Sequence, residues 1–193
     1  MAPLAIFSST DGGTKSGTVV VGRKIWTSWE LDLGKPARPK QRYFTQEQLK
    51  QIIEAASGQY RVLFALLAGT GMRIGEAAGL HLDDLGLENG VIYVRRSVWN
   101  GQELEPKTVN AVREIDVDPT LVSVLREHVG NSRRTRVFEA RYGSPLSAGN
   151  IRKRVLHPLL VRLGIPKAGL HAFRHSRVTM LRKNGSPADL QRQ

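Results

Sequence analysis

Apolar residues recur at helical spacing along most of the chain from residue 44 onward. The segment FTQEQL at residues 44–49 predicts a helix start, because Thr45 can cap the helix and Gln48 can close a capping box. The flanking Phe and Leu can pack on each other across the first turn, and the helix is expected to reach about Ser57. The nearly continuous apolar run at 60–68 is typical of a central helix that is buried on most sides.

The same spacing predicts further helices, and two segments alternate as strands do. The expected helices cover residues 72–80, 119–129, 147–163 and 170–183, with one more starting at Pro187. Residues 90–94 and 112–117 favour β-strands separated by polar turn residues, and residues 136–138 favour a short extended piece. The pattern therefore predicts a mainly α-helical domain with one small antiparallel β-sheet, an α+β fold.

Composition divides the chain into two parts. Residues 1–24 are rich in Gly, Ser and Thr, and KPARPKQR at 35–42 is a basic stretch punctuated by proline. Both compositions are typical of flexible segments. We therefore expect a flexible N-terminal lead and basic linker over residues 1–43, and one folded domain over residues 44–193.

The charge is concentrated at one end of the chain. The 193 residues carry a net charge of +12, and residues 131–193 hold 14 of the 29 basic residues but only 2 of the 17 acidic ones. The other residues carry 15 charges of each sign. A local positive field of this kind attracts nucleic acid, although a solubilising surface can have the same composition.

Composition also excludes several protein classes. A hydrophobic content of 40% with 24% charged residues is typical of a globular chain. No apolar run approaches the roughly 20 residues that a membrane span needs, and the N-terminus lacks the basic leader of a secretory signal. The absence of cysteine excludes a disulfide scaffold and a thiolate zinc site, and it suits a reducing cytosol.

The first candidate site is AGTGMRIGEAAGL, residues 68–80. A dinucleotide-binding loop would need glycine where Ile74 stands and a strand before it, and a P-loop would need a following GK[ST]. We interpret the segment as a tight corner between two helices that places Arg73 at a helix start. There the free backbone N–H groups and the guanidinium both favour an anion. The alternative is a surface ion pair between Arg73 and Glu76.

The second candidate is Lys107, in the turn region between the two predicted strands. A hairpin tip there would hold the ammonium group in solvent, from which it can approach a substrate and deliver a proton. The alternative is an ordinary solvated loop lysine.

The third candidate is LHAFRHSRVTML, residues 170–181. His171 and Arg174 are three residues apart on one helix face, so both side chains can reach the same point. His171 and His175 have metal-ligand spacing, but the glutamate of zincins is replaced by Ala172, and no third ligand is evident nearby, so we expect no metal. Imidazole beside guanidinium suits a phosphodiester. The alternative is that His171 caps or packs the helix.

In this order, the three candidates resemble the catalytic domain of the tyrosine recombinases, the phage integrase family. The motif T-G-x-R-x-x-E-x-x-x-L runs from Thr70 to Leu80, and a hairpin lysine and then H-x-x-R follow it. The resemblance covers about residues 44–193.

The resemblance implies a reaction on double-stranded DNA. Arg73, His171 and Arg174 would grip the scissile phosphate while a tyrosine attacks it, and Lys107 would protonate the leaving 5′ oxygen. The product is a 3′-phosphotyrosyl bond that a second DNA end resolves. The basic segment of the predicted helix at 147–163 would bind neighbouring phosphates through Arg152, Lys153 and Arg154.

The resemblance also implies the setting of the protein. It implies site-specific recombination or integration of phage or mobile-element DNA, without metal or nucleotide cofactor and without a membrane. The full-length protein is expected to act as a homo-oligomer on DNA, in the cytoplasm and associated with the nucleoid.

The sequence departs from the family at the nucleophile. The family's tyrosine is expected well past Arg174, beyond Gln193, and the four tyrosines present stand in the linker, a helix, a strand and a loop. We therefore expect a truncated catalytic domain that is inactive alone. One alternative is a non-catalytic DNA-binding module that occupies recombination sites. A further alternative is a truncated helical domain that does not fold stably.

Overall fold

A computed structural model of the chain describes residues 19–21, 24–26, 43–104, 112–130 and 134–185. The chain divides into two units, Met1–Lys40 and Gln41–Gln193. In the first unit, strands β1 (Val19–Val21) and β2 (Lys24–Trp26) pair antiparallel. This strand pair was not predicted from the sequence.

The second unit begins with the predicted capping box. Helix α1 (Gln46–Ala55) follows Thr45, whose hydroxyl accepts the backbone N–H of Gln48 at 3.2 Å. The Gln48 side chain in turn accepts the backbone N–H of Thr45 at 3.0 Å. Leu49 and Ile52 are buried, so α1 packs one face on the core.

Helix α2 (Gln59–Thr70) is the centre of the core, as its apolar run predicted. Its fully buried side chains are Leu63, Phe64, Leu66 and Leu67. The helix runs through Gly69 and Thr70. Gly71 caps its C-terminus with a φ of +70°, the left-handed conformation that favours glycine.

The predicted sheet is present and antiparallel. Strands β3 (Leu85–Gly86), β4 (Val91–Val94) and β7 (Arg113–Asp116) form it in the order β3-β4-β7. Ile92 lies opposite Ile115 in the register, and both side chains are buried in the hydrophobic core.

A second small sheet was not predicted. Strands β5 (Ser97–Trp99) and β6 (Gln102–Leu104) pair through an Asn100-Gly101 turn in which both residues have positive φ. Asn-Gly is the sequence that such tight hairpin turns prefer, so the signal was present in the sequence.

Short helix α3 (Ile74–Ala78) packs against this hairpin, and it is shorter than the predicted 72–80. A side chain at Gly75 would place its Cβ 2.8 Å from the carbonyl oxygen of Val98. The helix and strand β5 approach so closely because glycine stands at that position.

The other described helices follow the prediction in order, and the helix predicted to start at Pro187 lies outside the described residues. They are α4 (Pro119–Val129), α5 (Ala148–Asn150), a π-helical segment (Ile151–Leu156), α6 (His157–Arg162) and α7 (His171–Lys183). Between α4 and α5, Arg136 forms an isolated antiparallel bridge with His81. This bridge lies in the short segment, residues 136–138, that was predicted to be extended. In the part of the chain that the structure describes, no helix combines the length and the apolar character needed to cross a membrane.

Helix α7 is fixed by its packing on α2 and on Phe44, which stands just before α1. The ring of Phe173 stacks on Phe64 with centroids 5.3 Å apart and meets Phe44 edge-on at 5.2 Å. The buried Ser176 hydroxyl accepts the backbone N–H of Phe44 at 2.8 Å. These contacts set the position from which α7 presents its polar side chains. The predicted fold class, mainly helical with small antiparallel sheets, is confirmed.

Candidate phosphate-binding site

The corner between α2 and α3 places Arg73 at the first candidate site. Arg73 is the N-cap of α3, and its side chain is 57% exposed, so the guanidinium is accessible to a ligand. Its backbone N–H is not free, because it donates to Glu76 Oε2 at 2.7 Å. The prediction that free backbone N–H groups at this helix start attract an anion is therefore wrong for the N–H of Arg73. At this residue, the guanidinium is the group that can attract an anion.

Glu76 is a buried carboxylate shared by two arginines. Arg73 Nη1 donates to its Oε1 at 3.0 Å, and Arg113 on β7 donates to both oxygens, at 3.1 and 2.8 Å. The Glu76 side chain is only 9% exposed. Burial alone would raise the pKa of Glu76, but the hydrogen bonds from Arg113 and from the Arg73 backbone outweigh it and leave the pKa below its usual value.

The expected ion pair between Arg73 and Glu76 is thus present. It is not a surface pair, because Glu76 is buried and is also bound by Arg113. Arg113 was not among the predicted site residues, because nothing in the linear spacing shows that β7 lies against α3. The arrangement fixes the position of Arg73. The negative charge of Glu76 is compensated inside the protein by Arg73 and Arg113.

Arg174 on α7 reaches the same corner. Its Nη1 donates to the carbonyl oxygen of Gly71 at 2.7 Å, and the residue is partly buried. Burial, followed by the nearby charge of Arg73, lowers the pKa of Arg174 despite the opposing effect of Glu76. Arg73 and Arg174, 101 positions apart in sequence, therefore lie within electrostatic reach of each other.

His171 is the first residue of α7, one turn before Arg174, and it is exposed. It lines a cleft together with Ile74 and Gly75, the residues that directly follow Arg73. The structure therefore brings His171, Arg73 and Arg174 to neighbouring positions on α3 and α7. The imidazoles of His171 and His175 are edge-on, with centroids 6.4 Å apart. In the described ranges, no three His, Asp or Glu side chains converge as potential metal ligands.

The other predicted site residues divide into two cases. Arg152, Lys153 and Arg154 are exposed on the π-helical segment, and Arg152 lines the same cleft as His171. Lys107 lies in 105–111, outside the described residues.

Three arginines therefore converge near one carboxylate at this corner. Arg73, Arg113 and Arg174 contribute three positive charges, and the Glu76 carboxylate that pairs with two of them contributes one negative charge. The local excess of positive charge, beside an exposed imidazole, suits a phosphate group.

Comparison with known proteins identifies the family of the chain. Residues 42–192 match the model of the phage integrase family. The chain belongs to the phage integrase family of tyrosine recombinases. The match covers the corner at Arg73 and the helix with His171 and Arg174, so the family resemblance that the motifs predicted is confirmed.

Relatives of this integrase-family chain include bacterial recombinases. It is 30% identical over 173 residues to a tyrosine recombinase XerC-like protein of Caldanaerobacter subterraneus subsp. tengcongensis, covering 75% of this chain and 44% of that protein. It is 33% identical over 166 residues to tyrosine recombinase XerC of Rhodospirillum centenum, covering 81% and 47%. The chain spans about half the length of the curated relatives it matches.

Solved structures share the fold of this family member. The Tn1549 transposon integrase in complex with a circular intermediate DNA superposes with a TM-score of 0.71 at 23% identity, covering 81% of this chain and 58% of that one. XerA recombinase superposes with a TM-score of 0.65 at 23% identity, covering 82% and 56%.

Proposed function

We propose that this chain binds the backbone of double-stranded DNA and holds one phosphate for site-specific strand exchange. The observation that carries the proposal is the convergence of Arg73 and Arg174, from helices far apart in sequence, on the Gly71–Glu76 corner. His171 opens onto the adjacent cleft. DNA is the favoured ligand because the positive charge is concentrated in residues 131–193 and because structural neighbours were solved as DNA complexes.

Each residue has a role in this proposal. Arg73 and Arg174 bind the non-bridging oxygens of the phosphate, and His171 donates a hydrogen bond to it or moves a proton. The pentacoordinate transition state carries more negative charge than the bound phosphate, so fixed cations stabilise it preferentially. Removal of one such donor typically raises the barrier by about 3–4 kcal/mol.

The proposal assigns two further roles by family membership. Lys107 protonates the leaving 5′ oxygen, and the exposed Arg152, Lys153 and Arg154 bind phosphates beside the central one. Strand exchange joins ends of two duplexes, so the reaction takes place in an oligomer on DNA, at the nucleoid. No metal or nucleotide cofactor is needed, because the phosphotyrosyl bond keeps the energy of the broken ester.

We further propose that the 193-residue chain, tested alone, binds DNA without forming a covalent adduct. Among the described residues that line the cleft at His171, none is a tyrosine. Tyr43, Tyr60, Tyr93 and Tyr142 lie elsewhere, at the start of α1, in α2, in β4 and in the loop before α5. The same observation supports the second candidate function, a non-catalytic module that occupies recombination sites.

Two measurements test the proposal. The first is binding of a labelled duplex, in which Arg73→Ala is expected to weaken affinity while Arg61→Ala does not. Arg61 is a matched control, because it is exposed near the opposite end of α2, about 15 Å along the helix from Gly71. Equal affinity of Arg73→Ala and the wild type would contradict the proposed phosphate site.

The second measurement uses a nicked suicide duplex, in which a covalent protein–DNA product is trapped. The chain alone is expected to give salt-sensitive binding without an adduct. An adduct that survives denaturation would contradict the non-covalent part of the proposal, and it would favour a competent recombinase.

A further inference from the structure

A cleft of about 500 Å³ lies directly beside the candidate phosphate site. Its walls come from α3, from the β5–β6 hairpin, from the region of α5 and the π-helical segment, and from the start of α7. They include Gly75, Trp99, Ser147, Arg152 and His171. The volume is in the range of small-ligand sites. One wall thus carries the imidazole of the phosphate site, and another carries a basic side chain.

Trp99 is the unexplained residue of this cleft. Its side chain is 70% exposed, whereas its neighbour Val98 is buried against the core. A large indole left in solvent contributes little to the fold, because most of its apolar surface stays in water. The exposed ring at the cleft therefore points to a ligand.

The backbone holds Trp99 firmly in place. Strand β5 lies so close to α3 that a Cβ at Gly75 would come within 2.8 Å of the Val98 carbonyl oxygen, and a Cβ at Gly79 within 3.1 Å of Ser97 Cα. On the partner strand, the Glu103 carboxylate accepts a hydrogen bond from Arg136 and pairs with His81. The hairpin is anchored on both of its strands, so the backbone that carries the indole is held in position.

An aromatic face beside basic groups is typical of sites for unpaired nucleotides. Every base has a face that stacks on an aromatic side chain, and nearby cations bind the flanking phosphates. The cleft at His171 supplies both elements, through Trp99 and Arg152.

We propose that Trp99 stacks on the unpaired base next to the phosphate that Arg73 and Arg174 hold. This inference rests on the function proposed above. Strand exchange requires the cut strand to leave its own duplex, so the base beside the held phosphate loses its pairing partner and its stacking neighbours. The indole replaces that lost stacking, and Arg152 binds the next phosphate along the strand.

The test uses the full chain and two DNA probes, an intact duplex and the same duplex with a four-nucleotide single-stranded gap. Trp99→Ala is expected to weaken binding of the gapped duplex by about 5- to 100-fold and to leave intact-duplex binding within about twofold. Trp99→Phe is the matched control, and it retains most of the affinity because it keeps an aromatic face. Thermal melting of each variant checks that the fold is unchanged.

A fluorescence measurement gives a second readout. The chain has three tryptophans, at positions 26, 29 and 99. A Trp26→Phe/Trp29→Phe variant reports on Trp99 alone, and its emission is expected to be quenched more by the gapped duplex than by the intact one.

The outcomes separate this inference from the proposed function. If Arg73→Ala weakens both probes while Trp99→Ala weakens neither, the phosphate site stands and the stacking role is wrong. If Arg73→Ala weakens neither probe, the proposed function itself fails. Equal loss on both probes for Trp99→Ala, or equal quenching by both, would also overturn the stacking role.

Discussion

Arg113 Nη2 lies 2.8 Å from Glu76 Oε2, and its Nη1 lies 3.1 Å from Oε1, so the β-sheet holds the carboxylate that positions Arg73. This contact joins β7 to α3 across 37 residues of sequence. It converts an ordinary i,i+3 pair on a short helix into a fixed, partly buried cluster. The candidate phosphate site is therefore built on the sheet as well as on the helices.

The first prediction concerns the stability that this cluster provides. Arg113→Ala is expected to lower the free energy of unfolding by about 3 kcal/mol, because it leaves the buried Glu76 carboxylate with one arginine fewer. Arg113→Lys should recover only part of the loss, since an ammonium cannot donate in parallel to both oxygens. Urea denaturation measures both values.

Glu114→Ala is the control for this experiment. Glu114 is the next residue on β7 and is exposed, so its removal is expected to change stability by no more than about 0.5 kcal/mol. Equal effects of Arg113→Ala and Glu114→Ala would show that the Arg113–Glu76 contact does not support the fold.

The second prediction concerns pH. The pKa of Glu76 in the folded chain lies below its ordinary value of about 4.5. The ionised group therefore stabilises the fold fully above pH 4.5, and this contribution is lost as the pH falls through the lower folded-state pKa. Glu76→Gln removes the contribution at every pH.

The difference in unfolding free energy between wild type and Glu76→Gln measures this effect. It is expected to be constant from pH 7 to about pH 5 and to shrink below pH 4.5. A difference that grows on acidification would mean that the pKa of Glu76 is raised, contrary to its hydrogen bonding.

The third prediction concerns the contact between α3 and the β5–β6 hairpin. Gly75→Ala is expected to destabilise the chain by about 1–3 kcal/mol, because the new methyl group would meet the backbone oxygen of Val98 at 2.8 Å. Gly149→Ala is the matched control in α5, where the nearest atom lies at 3.8 Å and no positive φ is required. That variant should be neutral or slightly stabilising. Thermal melting distinguishes the two, and similar melting temperatures would refute the close approach.

The fourth prediction concerns the link between α7 and the start of α1. Ser176→Ala removes the hydroxyl that accepts the backbone N–H of Phe44, and the buried donor loses its partner. The expected cost is about 1–3 kcal/mol, read from denaturant unfolding. Thr179→Ala, which removes a hydroxyl bonded only within α7, is expected to cost less. The reverse order would show that the Phe44 contact is unimportant.

The helices were predicted well where the sequence carries capping signals at the helix ends. Helix α4 runs from Pro119 to Val129 as expected, because the Asp118 side chain accepts the N–H of Thr120 and Gly130 ends the helix with positive φ. The capping box at Thr45 likewise located α1. These signals act within one turn of the chain, so a linear sequence displays them.

Contacts between elements distant in sequence were not predictable in the same way. The spacing of Arg73, His171 and Arg174 predicted a shared site only through resemblance to a family. Arg113 gave no signal, because its role depends on which strand faces α3. Trp99 was also missed, although the Asn-Gly turn beside it indicates a hairpin, because exposure and cleft position follow only from the packed structure.

The most direct test of the central claim, that Arg73 and Arg174 hold one DNA phosphate, is the salt dependence of duplex binding. Each neutralised phosphate contributes about 0.9 to the slope of log K against log salt concentration. The double variant Arg73→Ala/Arg174→Ala is expected to reduce the magnitude of this slope by about 0.9 in total, since the contact with a single phosphate is lost. Arg73→Ala combined with Arg152→Ala, which acts on a second phosphate, should lower it by up to about 1.8. A loss of about 1.8 for Arg73→Ala/Arg174→Ala, or no loss at all, would contradict the shared site.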